Sequence, residues 1–315
     1  MSGYIGIQQQ IRSNNIKSVI LLIAFPLLVF VAVWLFLYLT APADIYDRLD
    51  YTTQTFLSAA PFVAGVVIVW FLIAFWTHTS MINAATGAKP LERKENKRVY
   101  NLVENLCMTQ GLQMPKINVI EDPALNAFAS GLNDKSFTVT MTRGLINTLD
   151  DDELEGVIAH ELMHIKNRDV RLLVITVIFV GIFSFAVQMM FRGMFWGRAG
   201  RGRSGKSDGR VILIAMLIAA VAYFLSLVFK AALSRKREYM ADAGAAEMTR
   251  KPLALQSALQ KVSGRYQISS VKNEDVKEMF FQNAPDKSAG FLSALSGIFG
   301  THPPIEKRIA VLGQF

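Results

Sequence analysis

Apolar positions are gathered along this chain into four runs that contain no charged residue. Residues 18–43 are uncharged, with Val19–Leu39 as their core, and residues 51–88 are uncharged, with Phe56–Trp76 as their most apolar part. A third run, Leu172–Phe191, is bounded by Arg171 and Arg192, and a fourth, Val211–Phe229, by Arg210 and Lys230. A helix needs about 20 apolar residues to cross a bilayer, whereas a helix packed on a soluble core usually shows a polar face. The pattern predicts about four membrane helices in two hairpins. Ala41-Pro42-Ala43 resembles a signal cleavage site, but a signal core is about 7–15 residues. The first run is much longer and reads as a retained anchor.

Between these runs the pattern changes. The expected organisation is a membrane hairpin over residues 1–82, half of a catalytic domain over 83–171, a second hairpin over 172–229 and the other half over 230–315. The two outer pieces together suffice for one domain. Val99, Leu102, Val103 and Leu106 repeat at helical spacing, and Gly111 and Pro115 end that helix. Residues 116–121 and 136–142 alternate like short strands. A helix begins at Asp150, where Asp150 and Glu153 fit a capping box, with Asp151 and Asp152 at the positive end of the helix dipole. The second half reads as mostly helical, so the expected fold is mainly α with a small β-sheet.

Composition narrows the chemistry. Hydrophobic residues make up 52% of the 315 positions and charged ones 18%, which excludes both a disordered chain and an ordinary soluble one. The single cysteine, Cys107, excludes a disulfide framework and any multi-cysteine metal site. Arg12 and Lys17 precede the first span, the loop after it holds Asp44, Asp47 and Asp50 against Arg48, and Lys89, Arg93, Lys94, Lys97 and Arg98 follow the second. The positive-inside rule then places the catalytic pieces in the cytoplasm. The loop 192–210 opposes this, with Arg192, Arg198, Arg201, Arg203, Lys206 and Arg210 against Asp208. Either the earlier signals dominate or the second hairpin is only partly inserted.

The capped helix runs into His160-Glu161-Leu162-Met163-His164. Residues four apart share a helical face, so both imidazoles can reach one metal ion, and Glu161 can face a water beside it. This is the H-E-x-x-H arrangement of zinc peptidases, in which the glutamate acts as general base. The apolar Val157, Ile158, Leu162 and Ile165 would fix one face of the same helix. A catalytic zinc needs a third protein ligand and an open position. Arg237-Glu238-Tyr239-Met240-Ala241-Asp242 offers Glu238 and Asp242 on one face, one to ligate and one to orient a histidine. On spacing alone an ordinary solvated acidic pair is the better reading of that segment.

Four segments in order carry a family resemblance. "NAFASG" (126–131), "VIAHELMHIKNRDV" (157–170), "SRKREYMADAGAA" (234–246) and "THPPIEKRI" (301–309) resemble the HtpX-type membrane zinc metallopeptidases, relatives of the CAAX prenyl proteases. The resemblance implies a zincin-like (gluzincin) domain with one Zn2+ held by His160, His164 and Glu238. It implies Glu161 as base, Asp242 as the partner of a ligating histidine, and an edge strand at Asn126, Ala127 and Phe128 that holds an extended substrate. His302, followed by Arg308, resembles a pair held near the zinc, with His302 steadying the oxyanion. It further implies a multi-pass protein of a bacterial inner membrane. Its substrates would be damaged or misfolded membrane proteins, in a stress response.

Rival readings fare less well. Gly200–Ser207 satisfies the Walker A pattern, but a membrane run precedes it and Gly209 follows where a helix should continue, so ATP is not expected. The arginines of that loop suit anionic lipid head groups better than nucleic acid. A non-catalytic membrane scaffold would be expected to have lost a ligand or the base, and none is missing. An intramembrane protease would bury the motif in a span, yet this helix carries Glu153, Glu155 and Lys166, with Arg168 and Asp169 following. A CAAX-type prenyl endopeptidase is the nearest enzymatic alternative, although the resemblance implies more spans for that group.

Overall fold

The structure is a computed structural model that describes residues 7–42, 44–176, 235–263 and 304–314, with isolated positions at 178, 214, 216, 217, 219 and 221. The chain falls into two compact units: residues 1–18, 77–175 and 230–315 form one, and residues 19–76 and 176–229 the other. Most of the expected second hairpin, the Gly200–Ser207 segment and His302 lie outside the described residues.

Two long helices make up most of the described second unit, although residues 7–18 of one and 77–86 of the other belong to the first unit. Helix α1 is Ile7–Thr40 and α2 is Arg48–Thr86, and both carry stretches long and apolar enough to cross a membrane. Their apolar side chains point outward: Leu27 is 57% exposed, Val31 63% and Phe62 76%. Such a surface suits hydrocarbon rather than water. Hydroxyls on these helices return to the backbone one turn earlier, as Thr40 to the Phe36 carbonyl at 2.7 Å and Thr55 to that of Tyr51 at 2.8 Å. That satisfies groups that lipid cannot. Phe30 meets Phe56 edge-on at 6.0 Å.

The first unit holds a sheet and a set of packed helices. Strands β1 (Lys89–Pro90), β2 (Lys116–Ile120), β3 (Ala127–Ser130) and β4 (Thr138–Thr142) lie in the order β1-β2-β4-β3. β2 and β4 run parallel, with Ile117 opposite Val139, and β3 pairs antiparallel with β4, with Phe128 opposite Thr140. Every residue of β3 and β4 is buried. Thr138, Thr140 and Thr142 alternate with Val139 and Met141, yet both faces are covered. β3, last in the strand order, is one edge of the described sheet. The residue patterns alone predict only β2 and β4, because four residues of Ala-Phe-Ala-Ser are too few to show a period.

Helix α3 (Lys97–Gln110) is capped by Asn96 and ends at Gly111, whose φ of 62° is the left-handed conformation glycine tolerates. The short α4 (Arg143–Thr148) follows β4 directly. Helix α5 (Asp151–Lys166) has the expected capping box: Asp150 accepts from the Glu153 amide at 2.9 Å, and Glu153 accepts from the Asp150 amide at 3.0 Å. Almost the whole of α5 is buried, because α3, β3, β4 and two later helices, α6 (Arg235–Thr249) and α7 (Pro252–Val262), pack against it. α6 comes close because it presents small residues. Ala241, Ala245 and Ala246 are buried, and a Cβ on Gly244 would meet the end of Met163 at 2.3 Å. α7 buries Leu255, Ala258, Leu259 and Val262, a helical stripe. The last helix, α8 (Ile305–Leu312), packs on α6 and α7.

Glu153 also ties α5 to α7. Ser257 donates to its carboxylate at 2.6 Å, and the Lys261 ammonium lies 2.6 Å away. Burial opposes the charged carboxylate, but the bonds from Lys261, Ser257 and the Asp150 amide outweigh it and lower the pKa. A carboxylate lowered in the fold stabilises above its unfolded value, about 4.3, and that stability is lost as pH falls through the folded value. Glu153→Ala is expected to cost about 2 kcal/mol at pH 7 and to flatten the acid limb of the thermal midpoint. Parent and variant losing stability in parallel below pH 4.5 would contradict this.

Candidate metal centre

Two elements far apart in sequence bring the polar residues together. α5 supplies His160 and His164, and α6 supplies Glu238 and Asp242 from the face that also carries Ala241 and Ala245. His160 Nε2 lies 3.1 Å from His164 Nε2, and the rings stand nearly perpendicular, at 86°. Glu238 reaches both, at 3.6 Å from His160 Nε2 and 3.5 Å from His164 Nε2. One ligand atom from each of His160, His164 and Glu238 lies within 4.8 Å of the other two.

The other ring nitrogens decide the protonation. His160 Nδ1 lies 2.9 Å from Asp242 Oδ1, and His164 Nδ1 lies 3.2 Å from Asp169 Oδ2. A carboxylate accepts only, so each Nδ1 is assigned the proton. Both Nε2 lone pairs then point at each other and at a carboxylate. The three ligand atoms converge on one point, where a bound cation would stabilise them. The spacing suits a small one: tetrahedral coordination at about 2.0–2.1 Å sets ligand atoms roughly 3.3 Å apart.

The surroundings hold this charge in place. Arg308, on α8, is fully buried and grips Asp242 with two bonds, Nε to Oδ2 at 2.8 Å and Nη2 to Oδ1 at 2.7 Å. Its Nη1 is 3.8 Å from Glu238. Burial pushes Asp242 upward, but the Arg308 charge and the bonds from Arg308 and His160 lower it to about 2. For His160 in the cation-free protein, burial disfavours the imidazolium, yet bonds to Asp242 and Glu238 raise it to about 9. A proton is the simplest cation the cluster can take, and a metal must displace it.

The remaining expected residues fall as follows. Glu161, next to His160, is 3% exposed, and its charge is felt by Arg308. Asn126, Ala127 and Phe128 are buried at the start of the edge strand β3, which packs against α5. The Asn126 amide donates to Thr142 Oγ1 at 3.0 Å, and the Asn126 side chain accepts from the Ala127 amide at 3.0 Å. His302 is outside the described residues. Asp169 was not anticipated. It stands five residues beyond His164, and the need of the second histidine for its own acceptor was the signal that would have found it.

Comparison with known proteins agrees with this chemistry. The model of peptidase family M48 matches residues 93–314. A protein described as "Protease HtpX homolog" from Bacteroides fragilis is 54% identical over 320 residues, covering 99% of each chain. Another so described, from Listeria monocytogenes serotype 4a, is 34% identical over 317 residues, 96% of this chain and 97% of that one. The crystal structure of S. mikatae Ste24p is similar with a TM-score of 0.48 and 20% identity, over 95% of this chain and 66% of that one. The chain thus belongs to peptidase family M48 and is a membrane metalloprotease.

Proposed function

We propose that this chain is a zinc endopeptidase, anchored by about four membrane spans, that cleaves damaged or misfolded membrane proteins on the cytoplasmic side of a bacterial inner membrane. The observation that carries the catalytic part is the convergence of His160 Nε2, His164 Nε2 and Glu238, with each Nδ1 tied to a carboxylate. Zinc favours nitrogen and oxygen donors at this spacing. The orientation rests on the basic residues flanking the first two spans, and the substrate class on the similarity to the HtpX-type proteases.

Bound zinc would supply a Lewis acid that polarises the scissile carbonyl and acidifies a water. Glu161 accepts the proton of the attacking water and returns it to the leaving amine. Asp242 and Arg308 keep the His160 ring turned toward the centre. By the same resemblance the strand edge at 126–128 is proposed to hold an extended substrate, which can add as a further strand. His302 is proposed to donate to the developing oxyanion, on resemblance alone. The domain is of the gluzincin type, interrupted by a hairpin over 172–229.

The experiment is metal removal. Detergent-purified protein treated with a chelator is expected to lose cleavage of casein at least 100-fold. Stoichiometric zinc should restore it, and magnesium should not. Undiminished cleavage after exhaustive chelation would end the zinc reading.

A further inference from the structure

The second histidine is oriented by a chain of contacts that ends on the first helix. His164 Nδ1 faces Asp169 Oδ2 at 3.2 Å. The other oxygen of that carboxylate, Oδ1, accepts from Asn14 Nδ2 at 2.6 Å. The same Asn14 nitrogen donates to the Asn167 carbonyl at 2.8 Å. Asn14, Asn167 and Asp169 are 0%, 1% and 3% exposed. A wholly buried asparagine is costly unless its amide is used. Here both uses fall on the turn that follows α5.

That turn is itself strained. Arg168 has a φ of 62°, left-handed and unfavourable for a residue with a Cβ. Its amide bonds to the Ile165 carbonyl at 3.1 Å, and its guanidinium is held by Asp134 at 2.8 Å, above the Phe137 ring. The left-handed step ends α5 and turns the chain so that Asp169 folds back onto His164 of the preceding turn. Arg237, one residue before Glu238, adds a bond from Nη1 to the Asp169 carbonyl at 3.4 Å. Asp169 is thus fixed from the turn, from α6 and from α1, and its free oxygen is aimed at a ring nitrogen.

We propose that Asn14 and Asp169 are positioning residues of the metal centre, through which the first helix of the chain sets the orientation of His164. Asp169 holds the His164 proton on Nδ1 and leaves Nε2 free to ligate. Asn14 holds Asp169 in the rotamer that does so. Outer partners of ligating histidines are worth roughly 10–100-fold in metal affinity. The inference rests on the reading that His164 is a ligand, and it adds a residue from a distant helix that no motif contains.

The test uses full-length protein in detergent, loaded with zinc or cobalt. Asn14→Leu keeps the shape and removes the donor; Asn15→Leu is the neighbouring control. Loss of zinc to a chelator is expected to be about tenfold faster in Asn14→Leu, with Asn15→Leu within twofold of the parent. The ligand-field bands of the cobalt form should shift in Asn14→Leu only. Added to Asp169→Ala, Asn14→Leu should have no further effect, because it acts through that carboxylate. Additive effects, or zinc release within twofold of the parent, would overturn the proposal. If Asn14→Leu does not accumulate, Asn14→Ala, which removes the donor without adding a charge, is judged by the same criteria. His164→Ala separates the two readings. If it leaves zinc binding intact, the ligand assignment fails; if it abolishes zinc while Asn14→Leu changes nothing, only this inference fails.

Discussion

Glu161→Gln is expected to lower kcat/KM for casein roughly 10²–10⁴-fold, the range of a general base, while zinc content stays at the parent level. The glutamate is buried on α5 beside His160, inside a helix packed on nearly all sides. Gln matches its shape and helix propensity, so the helix and its two imidazoles should be undisturbed. What Gln lacks is a basic oxygen that can take a proton. Cleavage at the parent rate would remove Glu161 from the base role. Loss of zinc together with cleavage would make it a structural residue.

Much of this centre can be read from residue order, because its first half is local. His160, Glu161 and His164 sit within five residues, on a helix whose cap at Asp150 and Glu153 is itself a local pattern. Spans α1 and α2 are equally plain, since length and lack of charge are local properties. Glu238 and Asp242 are different. A pair of acids four apart is common on solvated helices, and only likeness to a family singled it out. What brings α6 to α5 is the small-residue face of Ala241, Gly244 and Ala245, a packing property that spacing does not announce.

The least legible parts depend on distance. Asn14 meets Asp169 across 155 positions, and nothing in a polar triplet near the chain start points to that partner. Strand β3 is too short to carry a period, and β1 has only two residues. α4 lies where the alternation of β4 runs directly into Arg143 with no turn signal between, because Thr142 serves both as the last strand residue and as the helix cap, accepting from the Leu145 amide. A residue with two roles gives a boundary no composition shift can mark.

Glu238→Ala carries the central claim, that two stretches separated by the 172–229 segment grip one ion. Glu238 stands 3.5–3.6 Å from both Nε2 atoms, whereas Asp242 keeps its two bonds to Arg308 without it. The variant should therefore stay folded, with α6 still pinned to α8, and yet leave the ion only two imidazoles. Two neutral donors neither neutralise a divalent cation nor fill three positions of its tetrahedron, so affinity is expected to fall by more than about 100-fold. The direct measurement is zinc per chain, by atomic absorption, in detergent-purified parent and Glu238→Ala after dialysis against a weak chelator. The expected result is one zinc in the parent and essentially none in the variant, with matching circular dichroism. Equal zinc in both would contradict it.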